Sequence, residues 1–140
     1  MSSRTAAPAT PSPRERVIAG GCTALGAVSL ITSVVMTVDP AGFLDEVGGF
    51  GAVNEHLVRD LATWSATLGV TLLAAARLAA WRVPILAFAF LQGALHTINH
   101  AFDADLADPD WKGWANVALL ASVTLVTAWL LVAARREERA

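Results

Sequence analysis

Four long apolar runs, separated by short polar segments, dominate the chain. A transmembrane helix needs about 20 mostly apolar residues, and four stretches satisfy that length: 17–38, 57–80, 83–102 and 114–134. The first run is longer than the apolar part of a signal peptide and lacks a cleavage motif after it, so we expect it to be retained. The pattern predicts an all-α protein, a bundle of four transmembrane helices in residues 17–134.

The segments outside these runs are short. Residues 1–16 are rich in Pro, Ser, Ala and Thr, which predicts a disordered tail, and residues 135–140 form a second, charged tail. The link between the second and third runs, near Trp81-Arg82, is so short that these two helices should form an antiparallel hairpin. Pro84 then suits the first turn of the third helix. The loop from Asp39 to Glu55 is apolar and glycine-rich, which favours a short interfacial segment over the mouth of the bundle.

Composition agrees with membrane insertion. The chain is 55% hydrophobic and only 16% charged, whereas a soluble domain carries about 25% charged residues. One cysteine, Cys22, excludes an intramolecular disulfide. The net charge of −2 indicates no particular partner, and the chain has no nucleic-acid-binding signature.

The distribution of charge predicts an orientation. Eight basic residues fall on one side of the predicted bundle: Arg4, Arg14, Arg16, Arg77, Arg82, Arg135, Arg136 and Arg139. Only Arg59 and Lys112 fall on the other side, together with most of the acidic residues. Because loops rich in Lys and Arg remain in the cytoplasm, we expect a multi-pass protein of the cell membrane with both termini cytoplasmic.

Polar residues of the second run share one face of the predicted helix. At 100° per residue, Arg59 lies about 60° to one side of His56, and Asp60 lies about 40° to the other. Three residues continue this face along the helix: Thr63, Thr67 and Thr71. Because polar groups facing lipid are costly, the stripe should face the bundle interior. Asn54 precedes the run as a predicted N-cap.

Small residues form strips that we interpret as ordinary packing surfaces. Ser65 and Gly69, on the other side of the second run, have the small-xxx-small spacing that lets membrane helices approach closely. A similar strip lies along the first run and consists of Cys22, Gly26, Ser29, Ser33 and Thr37.

The third run ends in a second polar face. It carries Gln92, His96, Asn99, His100 and Asp103. His96 and His100 are one helical turn apart, the spacing with which two imidazoles can ligate one metal ion. All three histidines of the chain therefore lie at the ends of predicted spans that a hairpin brings to the same depth.

A hairpin would let three imidazoles and one or two carboxylates converge near the extracytoplasmic face. The predicted metal ligands are His56, His96, His100 and Asp103, and a surrounding polar network would include Asn54, Gln92, Asn99 and Asn116. Imidazole with carboxylate suits Zn²⁺, Fe²⁺ or Cu²⁺. Haem is an alternative, with His56 opposite His96 or His100.

Several functions remain open. In a membrane-embedded enzyme or redox protein, Asp60 or Asp103 would be a fourth ligand or a general base. Glu55 would then carry protons, and Arg59 would hold an anionic group. The cluster would otherwise bind a lipid headgroup, a quinone or another small polar ligand. As a structural network, it would belong to a non-catalytic binding or accessory subunit, in a homo-oligomer or with a partner subunit. A channel is disfavoured because no polar path reaches the cytoplasmic side.

Two short motifs carry a resemblance. They are Asn54-Glu55-His56 with Arg59-Asp60 at the start of the second run, and His96 with Asn99-His100 at the end of the third. With its short extracytoplasmic loop, the chain resembles uncharacterised small four-helix integral membrane proteins of actinobacterial type. The resemblance covers most of residues 17–134 and implies this topology without implying a mechanism.

Overall fold

The computed structural model describes residues 10–47 and 53–139, and every regular element in them is a helix, which confirms the all-α prediction. The elements are α1 (Pro13–Val38), α2 (Pro40–Val47), α3 (Glu55–Arg77), α4 (Ala79–Asp103), a 3-10 turn (Ala104–Leu106) and α5 (Asp110–Glu137). Residues 1–9 of the predicted tail and the glycine-rich part of the first loop, 48–52, lie outside the described residues.

Helix α1 begins four residues earlier than the apolar run suggests. The backbone N–H of Glu15 donates to Ser12 Oγ at 3.0 Å, and Ser12 N–H donates to Glu15 Oε2 at 2.7 Å. This capping box satisfies two N–H groups that a helix start otherwise leaves open, and Pro13 suits the first helical position. The prediction that residues 13–16 are disordered is therefore wrong.

The break between α3 and α4 is one residue, Leu78, with φ −106° and ψ 98°. The predicted link at Trp81-Arg82 is wrong, because α4 already begins at Ala79 and both residues are helical. Pro84 is the sixth residue of α4 and does not lie in its first turn. Hydropathy does not reveal this break, because Leu78 is itself an apolar residue.

The four long helices pack antiparallel to their neighbours, in two close pairs. In the first pair, Gly26 of α1 meets Gly69 of α3, and Ser33 Oγ donates to the carbonyl oxygen of Ala62 at 2.8 Å. These contacts confirm the predicted packing role for Gly26, Ser33 and Gly69, whereas Thr37 of the same strip is exposed. In the second pair, α4 packs on α5, where the hydroxyls of Thr97 and Thr124 lie 3.3 Å apart.

The two ends of the bundle differ. We call the end that holds Pro13, Leu78 and Glu137 the terminal end, and the opposite one the α2 end. An apolar cluster joins all four long helices near the terminal end, and its members include Ile18, Leu72, Leu86 and Leu130. A smaller cluster at the α2 end consists of Met36, Val58 and Ala62, with Phe43 and Leu44 of α2 packed against it. The predicted segment over this end is thus the short helix α2.

Among the described helices, α1 and α5 are long and apolar enough to cross a membrane, by length and composition. Helices α3 and α4, with 23 and 25 residues, have the length but not the same apolar character. Their polar residues, concentrated toward the α2 end, account for the difference.

Candidate functional site

The start of α3 carries two side-chain pairs along its own surface. Asn54 caps the helix, because its Oδ1 accepts a hydrogen bond from Leu57 N–H at 3.1 Å, as predicted. Arg59 Nη2 lies 2.9 Å from Glu55 Oε2, and His56 Nε2 lies 3.5 Å from Asp60 Oδ2. Each pair spans one helical turn on an exposed surface, where such pairs contribute only about 0.3–0.5 kcal/mol.

The polar stripe of α3 points away from the other helices. The side chains of His56 and Asp60 are 88% and 62% exposed, and Thr63 and Thr67 are exposed as well. The prediction that this stripe faces the bundle interior is wrong for the single chain. The opposite face, with the small residues Ala62 and Gly69, packs against α1 instead, because small side chains allow the closest approach of two helices.

The threonines of this stripe satisfy their hydroxyl donors within α3. Thr67 Oγ1 donates to the Thr63 carbonyl oxygen at 2.9 Å, and Thr71 Oγ1 donates to the Thr67 carbonyl oxygen at 2.9 Å. Thr63 Oγ1 donates to the Asp60 carbonyl oxygen at 2.7 Å. The hydroxyl oxygens retain lone pairs that can accept a hydrogen bond from another molecule.

The end of α4 brings two histidines together. The rings of His96 and His100 stack with their centroids 4.7 Å apart and their planes 16° from parallel. The spacing of one helical turn thus places them side by side, as the sequence predicts. A divalent ion bound here would have two imidazole ligands from one helix.

The other polar residues of α4 divide between surface and helix contacts. Gln92 and Asn99 are exposed, and Asp103, half-buried, is the last residue of the helix. Thr97 and Gly93 contact α5 instead, since a Cβ added at Gly93 would lie 2.8 Å from Thr124 Oγ1.

The histidines of α3 and α4 are not assembled into one centre here. Within residues 10–47 and 53–139, no group of three or more His, Cys, Asp or Glu side chains is arranged to hold a metal ion. His56 pairs with Asp60 on its own exposed surface, while His96 stacks on His100. Zinc, iron, copper or haem at a shared site therefore stays a prediction.

Asn116 has a different role from the one expected of it. Its Nδ2 donates to the carbonyl oxygen of Val47, and Lys112 Nζ donates to the carbonyl oxygen of Asp45 at 2.8 Å. Both residues thus attach the start of α5 to the end of α2. Nearby, Trp114 Nε1 donates to Asp105 Oδ1 at 3.0 Å, which ties α5 to the turn after α4.

A second polar cluster, at the terminal end, was missed by the sequence analysis. Arg82 is only 13% exposed; its Nη1 lies 4.0 Å from Glu15 Oε1, and its Nε donates to the Ala75 carbonyl oxygen at 3.4 Å. Ser12 Oγ donates to Glu137 Oε1 at 3.1 Å. These contacts connect all four long helices. The spacing of Ser12 and Glu15 before an apolar run was the signal available in the sequence.

Comparison with family models, with curated proteins and with solved structures finds no match to this chain.

Proposed function

We propose that this chain is an integral membrane protein in which α1, α3, α4 and α5 all cross the bilayer. The observation that carries the proposal is the apolar outer surface of these helices. Large side chains such as Ile31, Trp64, Leu125 and Trp129 are more than half exposed. A soluble monomer rarely exposes apolar surface on this scale, whereas hydrocarbon favours it.

The packing supports including α3 and α4 among the spans. Both run antiparallel beside a helix that is apolar enough to cross, α3 beside α1 and α4 beside α5. A one-residue break at Leu78 leaves no room for a loop outside the membrane region. The shorter of the two, with 23 residues, is roughly 34 Å long at 1.5 Å per residue, which exceeds a hydrocarbon core of about 30 Å.

The terminal end faces the cytoplasm in this proposal. It carries the basic residues that the positive-inside rule weighs, among them Arg77, Arg82, Arg135 and Arg136. The α2 end, which is acidic, faces outward. Trp111 and Trp114 begin α5 there and are exposed, as expected of side chains at a membrane–water interface.

We further propose that the protein is a non-catalytic binding or accessory subunit of a membrane assembly. The polar groups of α3 support this function over an enzyme, because they lie on the outer surface of the described part of the chain. An outward polar face suits recognition of another membrane protein. Glu55, Arg59 and Asp60 are then contact residues of this surface.

Cysteine labelling from either side of the membrane tests the topology. In a Cys22→Ala background, Ser12→Cys, Leu78→Cys and Arg139→Cys should react with an impermeant maleimide only after the membrane is permeabilised. Leu78, which is half exposed at the junction of α3 and α4, is the decisive site, because the other positions label alike if only α1 and α5 cross. Asp45→Cys should react in intact cells or spheroplasts. Recovery of the protein in the soluble fraction, or labelling of Ser12→Cys or Leu78→Cys from outside, would overturn the proposal.

A divalent metal on α4 is a second candidate, favoured by the stacked rings of His96 and His100. Two imidazoles from one helix, completed by water or by Asp103, would suit Zn²⁺ or Cu²⁺. Metal analysis and an absorption spectrum of the detergent-purified protein separate the two candidates. Stoichiometric metal or a Soret band that depends on the histidines would favour a cofactor site over a purely accessory role.

A further inference from the structure

One face of α3 has no neighbour among the residues that the structure describes, 10–47 and 53–139. We define the α3 polar face by five residues: His56, Arg59, Asp60, Thr63 and Thr67. All five are exposed, because α1 occupies the opposite face of the helix, where Gly26 meets Gly69.

This face differs from the outward sides of α1 and α5. The outward side of α1 is apolar and includes Val28, Ile31 and Val34, and that of α5 includes Leu125 and Val126. Lipid chains suit those surfaces, but charged side chains in hydrocarbon are costly even when they are paired along their own helix, as the carboxylate and the guanidinium of the α3 polar face are. The α3 polar face is therefore suited to contact with protein.

The depth of the face limits how far water can cover it. Asp60 and Arg77 are separated by roughly 26 Å along α3 at 1.5 Å per residue, which is less than a hydrocarbon core of about 30 Å. When Arg77 reaches the cytoplasmic headgroups, Asp60 lies at the outer edge of the hydrocarbon. Thr63 and Thr67 then lie deeper, below the headgroups.

The charges of the face complement themselves across a two-fold axis. With the axis along the line of His56, Thr63 and Thr67, Arg59 lies about 60° to one side of that line and Asp60 about 40° to the other. Two copies inserted in the same direction are related by an axis along the membrane normal. Rotation by 180° about it brings Arg59 of each copy beside Asp60 of the other, one residue apart in depth.

We propose that the occupant of the α3 polar face is a second copy of this chain, and that the protein forms a parallel two-fold dimer through α3. Small threonine side chains on the axis allow the two helices to approach closely. Their hydroxyls already donate within α3, so they bring no unsatisfied donor to the interface. The proposal rests on the proposed function, since α3 must cross the membrane for the argument to apply.

Cysteine cross-linking in membranes is the direct test. In a Cys22→Ala background, Thr67→Cys places a thiol near the axis, and oxidation with copper phenanthroline should give a disulfide-linked dimer. Leu125→Cys is the matched control, because Leu125 is 70% exposed on α5 and also lies near the middle of its helix. The control should stay monomeric under the same treatment.

A charge exchange tests the specific pairing. Arg59→Asp alone and Asp60→Arg alone should each weaken association about tenfold, measured by energy transfer between labelled copies diluted in detergent or lipid. The double variant Arg59→Asp/Asp60→Arg restores opposite charges across the axis and should recover most of the affinity. Circular dichroism of each variant checks that the helices persist.

The outcomes separate this inference from the topology on which it rests. Dimeric Thr67→Cys, monomeric Leu125→Cys and recovery in the charge exchange support the α3 dimer. A monomer with the expected labelling pattern would overturn the dimer and leave the topology intact. Cross-linking of Thr67→Cys only to a different protein would also overturn it. Failure of the labelling pattern itself would instead refute the proposed function.

Discussion

Gly26 of α1 and Gly69 of α3 meet where the two helices cross, and a Cβ added to either residue would lie 2.9 Å from the backbone carbonyl oxygen of the other. Backbone is an obstacle in both cases, and at Gly69 the side chain of Leu30 lies closer still, at 2.7 Å. A side chain at either position therefore forces the helices apart. Helices in lipid associate through close packing, since lipid is as apolar as their side chains. This crossing therefore positions α3 and determines which of its faces remains exposed.

Substitution of Gly69 should loosen the pair of α1 and α3. We expect Gly69→Val to lower the free energy of unfolding by about 1–3 kcal/mol, the usual cost of overpacking. This free energy is measured by titrating the detergent-purified protein with a denaturing detergent and monitoring the helix content by circular dichroism. Gly20→Ala is the control, because nothing lies within 4 Å of a Cβ at Gly20. Gly20→Ala should stabilise the protein slightly, since alanine has a higher helix propensity than glycine. Equal stability of wild type and Gly69→Val would refute the close crossing.

Ser33 tests the hydrogen bond across the same pair. Its hydroxyl is buried and donates to the Ala62 carbonyl oxygen of α3 at 2.8 Å. Interhelical hydrogen bonds in membranes average about 0.6 kcal/mol, so Ser33→Ala should destabilise by roughly that amount. Ser122→Ala is the matched control, because Ser122 is exposed and bonds to Ala118 within its own helix. Identical unfolding curves for the two variants would mean that the contact contributes nothing measurable.

The sequence predicted which residues share a helix face, but not which neighbour each face meets. The strip with Ser33 and Gly26 was correctly assigned to packing, because small residues at this spacing have few other uses. The stripe with His56 and Thr67 was wrongly predicted to face the bundle interior. Its orientation depends on how closely α1 approaches the opposite face, a competition between packing surfaces that periodicity along one helix does not reveal.

Contacts between distant parts of the chain also could not be predicted from the sequence. Arg82 looked like a loop cation that indicated orientation, yet it is largely buried and reaches both Glu15 and the backbone of Ala75. The reason is the early break at Leu78, which puts Arg82 inside α4. Asn116 similarly binds the end of α2. No strong periodicity in the sequence predicted that α2 is a helix.

Removal of Arg82 should weaken the terminal end of the bundle. Arg82→Ala deletes the contacts to Glu15 and Ala75, and we expect it to cost about 1–2 kcal/mol, within the usual range for a partly buried polar contact. Amide exchange in the first turn of α1, next to Glu15, should accelerate. Arg77→Ala is the control, because Arg77 is exposed at the end of α3. If both arginine variants exchange at the same rate, Arg82 does not connect the helices.

The stacked histidines should bind a divalent ion without His56. Titration of the detergent-purified protein with Co²⁺ or Zn²⁺ should show binding that His96→Ala or His100→Ala weakens at least about tenfold, since each removes one of two imidazole ligands. His56→Ala is the matched control. The His56→Ala variant should have the same metal affinity as the wild type if α3 keeps the position in which His56 and Asp60 pair on its exposed surface. An equal loss on substitution of His56 would show that α3 moves toward α4 to complete a three-histidine centre, and the enzyme or redox interpretation would then take precedence over the accessory one.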